Sequence, residues 1–297
     1  MQQPKIELAK ARDLGEIVND SFTFTKQNFK PLFKAVLTFC GLFIIATATT
    51  YALQQVKVLD IQKHIFENKY QTFDTVADRF GLEFFLSMLF MLLSYTLMTT
   101  TVISYMALYK QKGNAAPTNE EMWGYIKYYF LRVLTAAILL TILLVFAMAA
   151  CIIPGIYLYP VFGLVFPIMI FENASFGYAF SRSFNLIKNN WWATFGTLFV
   201  MTIIVSIASL IFAFPSYVII FINALTHGNN TASTSVPLTV IVSLVQQLAQ
   251  LLYVIPLVAL GLCYSNLNEI KEGSGLIDRI NQFGSNSPDS HLPAEEY

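Results

Sequence analysis

Gln246 and Gln250 stand four positions apart in a long apolar run, a spacing that puts both amides on one face of a helix. Each amide donates and accepts, so the pair could line a cavity for an uncharged polar molecule or hydrogen-bond to a neighbouring helix. Thr99-Thr100-Thr101 and Ser104 offer hydroxyls of the same kind within another apolar run. Glu172 and Arg182 flank the start of an amphipathic segment. They could pair with each other, or Arg182 could hold a lipid phosphate as a two-pronged donor. The sequence patterns of covalent chemistry do not accompany these residues: it has no HExxH, no glycine-rich phosphate loop and no Ser/His/Asp set in motif context. Cys40, Cys151 and Cys263 lie in or at the ends of apolar segments without a CxxC pair and read as small hydrophobes. His64, His227 and His291 are isolated in loops or the tail. We therefore expect no catalytic residue, no metal site and no cofactor.

The elements that must position these groups are membrane helices. Of the 297 residues, 56% are hydrophobic and only 12% charged, against roughly 25% charged in an average globular chain. From Asn189 to Asn268 not one Asp, Glu, Lys or Arg occurs, and Val133 to Phe171 is equally bare. A helix crosses the hydrocarbon core with about 20 apolar residues. Spans are expected near 32–55, 83–109, 131–152, 154–171, 193–213 (with a possible extension past Pro215 to 225) and 236–264. Barrel strands would need alternating polarity in shorter segments, which these runs lack. Fourteen of the eighteen Lys and Arg residues fall before the first span, in alternate loops, or after the sixth. The positive-inside rule then places both termini in the cytoplasm. A net charge of zero leaves no footprint for nucleic acid.

A repeated segment precedes two of the spans. Ser21, Phe22, Lys26, Asn28 and Phe29 recur as Ser183, Phe184, Lys188, Asn190 and Trp191. The stripe Leu14, Val18, Phe22 and Phe29 recurs as Phe176, Phe180, Phe184 and Trp191, at helical spacing. Trp123, Lys127 and Phe130 make a weaker third copy. Asp13 with Glu16, and Thr118 with Glu121, have capping-box spacing, and Ser175 holds the position matching Asp13. These features predict amphipathic helices lying in the membrane interface at about 13–30, 118–130 and 175–191. Phe22, Phe29, Phe184 and Trp191 would anchor at the headgroup–acyl boundary, with Lys26 and Lys188 at phosphate level. The expected fold is all-α and polytopic: one transmembrane domain over 1–270, built as three hairpins that each follow a cytoplasmic interfacial helix. The tail, 271–297, carries a last short stripe of Leu276, Ile277, Ile280 and Phe283 and is expected to be disordered after about 284.

The segment Ile153-Pro154-Gly155-Ile156-Tyr157-Leu158, then Phe171-Glu172-Asn173-Ala174-Ser175-Phe176-Gly177-Tyr178-Ala179-Phe180-Ser181-Arg182-Ser183-Phe184 and Asn190-Trp191-Trp192, resembles a bacterial signature. It is that of the YciC-like proteins and of the membrane domain attached to some glycerophosphodiester phosphodiesterases. Arg12-Asp13-Leu14-Gly15-Glu16-Ile17 is similar to the start of the same group. The resemblance implies a six-span inner-membrane protein of undefined activity. It does not carry the phosphodiesterase activity, because no segment could hold that soluble barrel.

The first functional expectation is a non-enzymatic scaffold or assembly partner, its in-plane helices offered to other membrane proteins. The alternative is a transporter or lipid-moving protein for an uncharged or amphiphilic substrate. The alternative predicts a polar cavity reaching the midplane near Gln246 and Gln250.

Overall fold

The computed structural model describes residues 5–68, 81–227 and 235–273. The stripe expected over 276–283, the tail after 284 and His291 lie outside the described residues, as do residues 228–234 between the fifth and sixth expected spans. Helix α1 (Leu14–Gln27) opens on a reciprocal cap. The Asp13 carboxylate accepts from the Glu16 N–H at 2.7 Å, and the Glu16 carboxylate accepts from the Asp13 N–H at 3.1 Å. Asn28 alone separates α1 from α2 (Phe29–Asn68). Helix α3 (Leu82–Gln111) turns into α4 (Asn119–Ala150) through Gly113 and Asn114, both at positive φ. Cys151 is the single residue before α5 (Ile152–Phe171). Then come α6 (Phe176–Ile187), α7 (Trp191–His227), α8 (Val236–Gln247), a 3-10 segment (Leu248–Tyr253) and α9 (Val254–Glu272). No strand occurs among the described residues. Six units are long and apolar enough to cross a membrane: α2, α3, α4, α5, α7, and α8 with α9. The protein is an all-α polytopic membrane protein.

The structure departs from the expected elements in two places. Residues 118–130 do not form a separate helix: α4 starts at the Thr118–Glu121 cap and continues without a break to Ala150. Met122, Ile126, Tyr129, Val133, Ala136 and Leu140 bury along one uninterrupted line, so packing favours a single rod. The sixth span is interrupted, because Pro256 has no N–H for the Leu252 carbonyl and its ring crowds that group. The turn before it tightens into the 3-10 segment. Of the two courses left open at Pro215, the structure takes the extension: α7 passes through it to His227. The buried residues of α1 are Ile17, Ser21, Phe24 and Thr25, while Phe22 and Phe29 remain 38% and 54% exposed. Small or hydroxylated residues on the inner face permit closer approach between helices.

The repeat is visible in the helix register. Leu14 and Phe176 open α1 and α6, and Phe29 and Trp191 open α2 and α7, each pair 162 positions apart. The buried residues of α6, Ala179, Ser183, Leu186 and Ile187, stand at the same offset from the four buried in α1.

Close packing is concentrated at one end of the bundle. There the last turns of α3, from Thr96 to Tyr109, are buried without exception, as are Leu164, Val165 and Ile168 to Ile170 of α5 and Leu257 to Leu267 of α9. Helix α1 lies against α7 and α9 at this end. It sets Phe24 edge-on to Tyr105 and Tyr109, with ring centroids 6.4 and 5.1 Å away. Helix α6 lies on α5, with Phe180 5.9 Å from Phe162. Gly261 is what lets α9 and α3 meet: a Cβ there would fall 2.6 Å from Met106 Sδ. Replacing Gly261 by Val should cost about 1–3 kcal/mol of overpacking, read as a lower thermal unfolding midpoint in detergent. Gly41→Val, where a Cβ meets nothing within 4 Å, should leave the midpoint in place.

Candidate functional site

The other half of the bundle holds a cavity of about 570 Å³ between α2, α3, α7, α8 and the 3-10 segment. The sixth span supplies Gln246, Gln247 and Gln250; the first supplies Thr47, Tyr51 and Gln54; the second supplies Ser87 and Tyr95; and the fifth supplies Ser206 and Ser209. Among the described residues no charged side chain lines it. Ser87 donates to Gln54 Oε1 at 2.7 Å, tying α3 to α2. Gln250 Nε2 donates to Ser94 Oγ, also at 2.7 Å, tying the 3-10 segment to α3. Ser94 is twelve residues into α3, about 18 Å along the helix axis, which is near the middle of that span. Gln250 Oε1 is buried and has no protein partner. A buried acceptor left bare costs about 1–3 kcal/mol.

The tightened turn sets this geometry. In an unbroken helix Gln246 and Gln250 would stand one above the other. The 3-10 segment turns through about 120° per residue rather than about 100° and brings Gln250 and Tyr253 round to the cavity wall beside α3 and α7. Tyr95 and Tyr253 also border a second cavity, of about 260 Å³, between α3, α4, α5, α7 and α9. Its walls are Leu140, Leu144, Phe162, Phe166, Leu198, Leu257 and other mainly apolar groups. The exposed side chains Met88, Met91 and Leu210 stand at the edge of the larger cavity, which therefore opens toward the lipid-facing surface.

The closed end carries two arginine networks. Arg182 Nε donates to Glu172 Oε1 at 2.7 Å, and its other arm reaches Asn268 Oδ1 at 3.0 Å and Glu272 Oε1 at 2.5 Å. The Tyr264 hydroxyl donates to Glu172 at 3.0 Å. Burial would lower the Arg182 pKa, but the hydrogen bonds and charges of Glu172 and Glu272 outweigh it and hold the pKa above its ordinary value. The guanidinium thus stays charged at any pH a cell meets. On the opposite side of α9, the Arg12 N–H donates to Asn266 Oδ1 at 2.7 Å, and the buried guanidinium pairs with Asp20 at 2.8 Å. It also donates to the carbonyls of Glu7, Leu8 and Lys10. Two arginines therefore hold the last turns of α9 from two sides.

Of the residues singled out in the sequence, the structure brings Gln246 and Gln250 together in the cavity and joins Glu172 to Arg182. It does not gather the six anchors into one site. Trp191 donates to the Tyr157 carbonyl at 3.0 Å and stacks on that ring, and Phe184 packs on Phe180. Lys26 and Lys188 are exposed. Gln54, Ser87, Tyr95, Tyr253 and Asn266 escaped the sequence reading, and Arg12 entered it only through the resemblance. Only Gln54, an amide within an apolar span, left a signal of its own. Among the described residues no group of His, Cys, Asp and Glu could hold a metal ion. Comparison with family models, curated proteins and solved structures gave no match.

The Arg182 clamp generates a prediction. Hydrogen bonds to charged groups contribute roughly 1.5–3 kcal/mol when shielded, and this one is part-exposed. Arg182→Gln should raise amide exchange over 176–187 by about tenfold. Lys188→Gln, at an exposed position, should leave exchange there unchanged.

Proposed function

We propose that the protein is a carrier, acting without covalent chemistry, for uncharged or amphiphilic molecules in a bacterial inner membrane. The resemblance in the sequence supports that location. Both termini lie in the cytoplasm, so the clamped end faces inward and the cavity faces the outer half of the bilayer. The observation that carries this reading is the amide-lined cavity, with no charged side chain among its described walls. A charged substrate would meet no counter-charge there and would forfeit its hydration. Movement inward requires the arginine clamp on α9 to loosen. The 3-10 segment, a tight turn within the sixth span, is a natural hinge for that motion.

A scaffold role draws its support from the outer surface. Phe29 and Trp192 are 54% and 79% exposed on the elements that flank α1 and α6, a pattern that suits lipid headgroups or another membrane protein.

The two readings separate by mutation. In nanodiscs, monolaurin should bind the native protein. Gln246→Leu with Gln250→Leu should weaken that binding by roughly ten- to a hundredfold, for two hydrogen bonds of about 1 kcal/mol each. Phe184→Ala with Trp191→Ala should change it less than threefold. The reverse ranking would favour the scaffold.

A further inference from the structure

Resting on the carrier reading, we infer that the substrate is an amphiphile with a single inserted chain and an uncharged, hydroxyl-bearing headgroup, held in two compartments. The headgroup occupies the larger cavity and the chain passes between Tyr95 and Tyr253 into the apolar one.

Three observations converge on this assignment. Tyr95 and Tyr253 line both cavities, so the two spaces adjoin at this pair. The compartments differ in chemistry. Beside the larger one stand Gln54, Gln246, Gln247 and Gln250, whereas the polar groups bordering the smaller one are tyrosine and threonine hydroxyls among leucines and phenylalanines. Amides beside one space and apolar rings beside the adjoining one match the sorting within an amphiphile. Lastly, the glutamine amides and serine hydroxyls of the larger cavity both donate and accept, which suits a headgroup of hydroxyls better than an ester or a phosphate diester. Among the described residues no charged side chain lines either cavity, so an anionic headgroup would meet no counter-charge from them. Exposed Met88, Met91 and Leu210 at the cavity edge give such a molecule a path from the bilayer.

Photo-crosslinking with two monolaurin probes tests the assignment. One carries a diazirine on the glycerol, the other at the end of the lauroyl chain. The headgroup probe should label peptides containing Gln246 to Tyr253, and the chain probe those containing Leu140 to Leu144 or Phe162. Thr141→Phe, which fills the apolar cavity from its wall, should weaken monolaurin binding at least tenfold and leave monobutyrin unaffected. Chain labelling confined to Met88, Met91 and Leu210, with Thr141→Phe without effect, would overturn the two-compartment assignment while the Gln246 and Gln250 result still upheld the carrier. Equal binding of an anionic lysophospholipid would overturn the headgroup assignment. Failure of every neutral amphiphile to bind, with the Gln pair also without effect, would overturn both.

Discussion

At Gly261 of α9 and Met106 of α3 two largely buried helix stretches come so close that a Cβ on residue 261 would fall 2.6 Å from Met106 Sδ. Lipid tails are as apolar as the helices, so association in the bilayer relies on close packing and hydrogen bonds more than on hydrophobic burial. Everything at the closed end is arranged about that pair. Helix α1 fills the angle between them with Phe24, and the Tyr105 hydroxyl donates to Asn28 at 3.0 Å where α1 gives way to α2. Helix α5 closes the third side, and the Arg182 network pins α6 to α9 from outside. Toward the other end the same helices separate, and polar side chains take the place of packing. The cavity is the consequence of a bundle joined tightly at one end only.

Much of this was legible in the sequence, for identifiable reasons. Span positions follow from the cost of burying charge in lipid, and both capping boxes followed from the demand of helix ends for hydrogen-bond partners. For Glu172 with Arg182 the sequence left an ion pair and a lipid-phosphate site open, and for Gln246 with Gln250 a cavity wall and packing between helices. What stayed hidden depends on contacts between distant segments. The inward face of α1 carries Ser21 and Thr25 rather than the apolar stripe, a choice that hydropathy does not encode. The continuity of α4 is decided by its packing against α3 and α5, not by the aromatic cluster at its start. Tyr95 and Tyr253 become neighbours only through the break that Pro256 imposes, and Asn266 acquires a role only when the chain at Arg12 returns to meet it.

The recurrence at an offset of 162 shows how one local pattern serves two ends. Ser21 and Ser183 are both fully buried, and each leads through an Asn into a long span. Yet α1 reaches across to α7 and α9, while α6 lies mainly on α5, its neighbour in the chain, and is tied to α9 by Arg182. The same register therefore serves a wider link across the bundle in one copy and a brace between α5 and α9 in the other.

The central claim is a bundle shut at the clamped end and open in the other half, and cysteine accessibility tests it most directly. On a Cys151→Ser background, single Ser87→Cys, Ser206→Cys and Ser209→Cys variants should react with a small water-soluble thiol reagent, because these positions line the cavity. Thr101→Cys, Ser104→Cys and Thr197→Cys, at positions with no exposure, should stay unreacted under the same conditions. Equal reaction at the two sets, or reaction only at the second, would contradict the account.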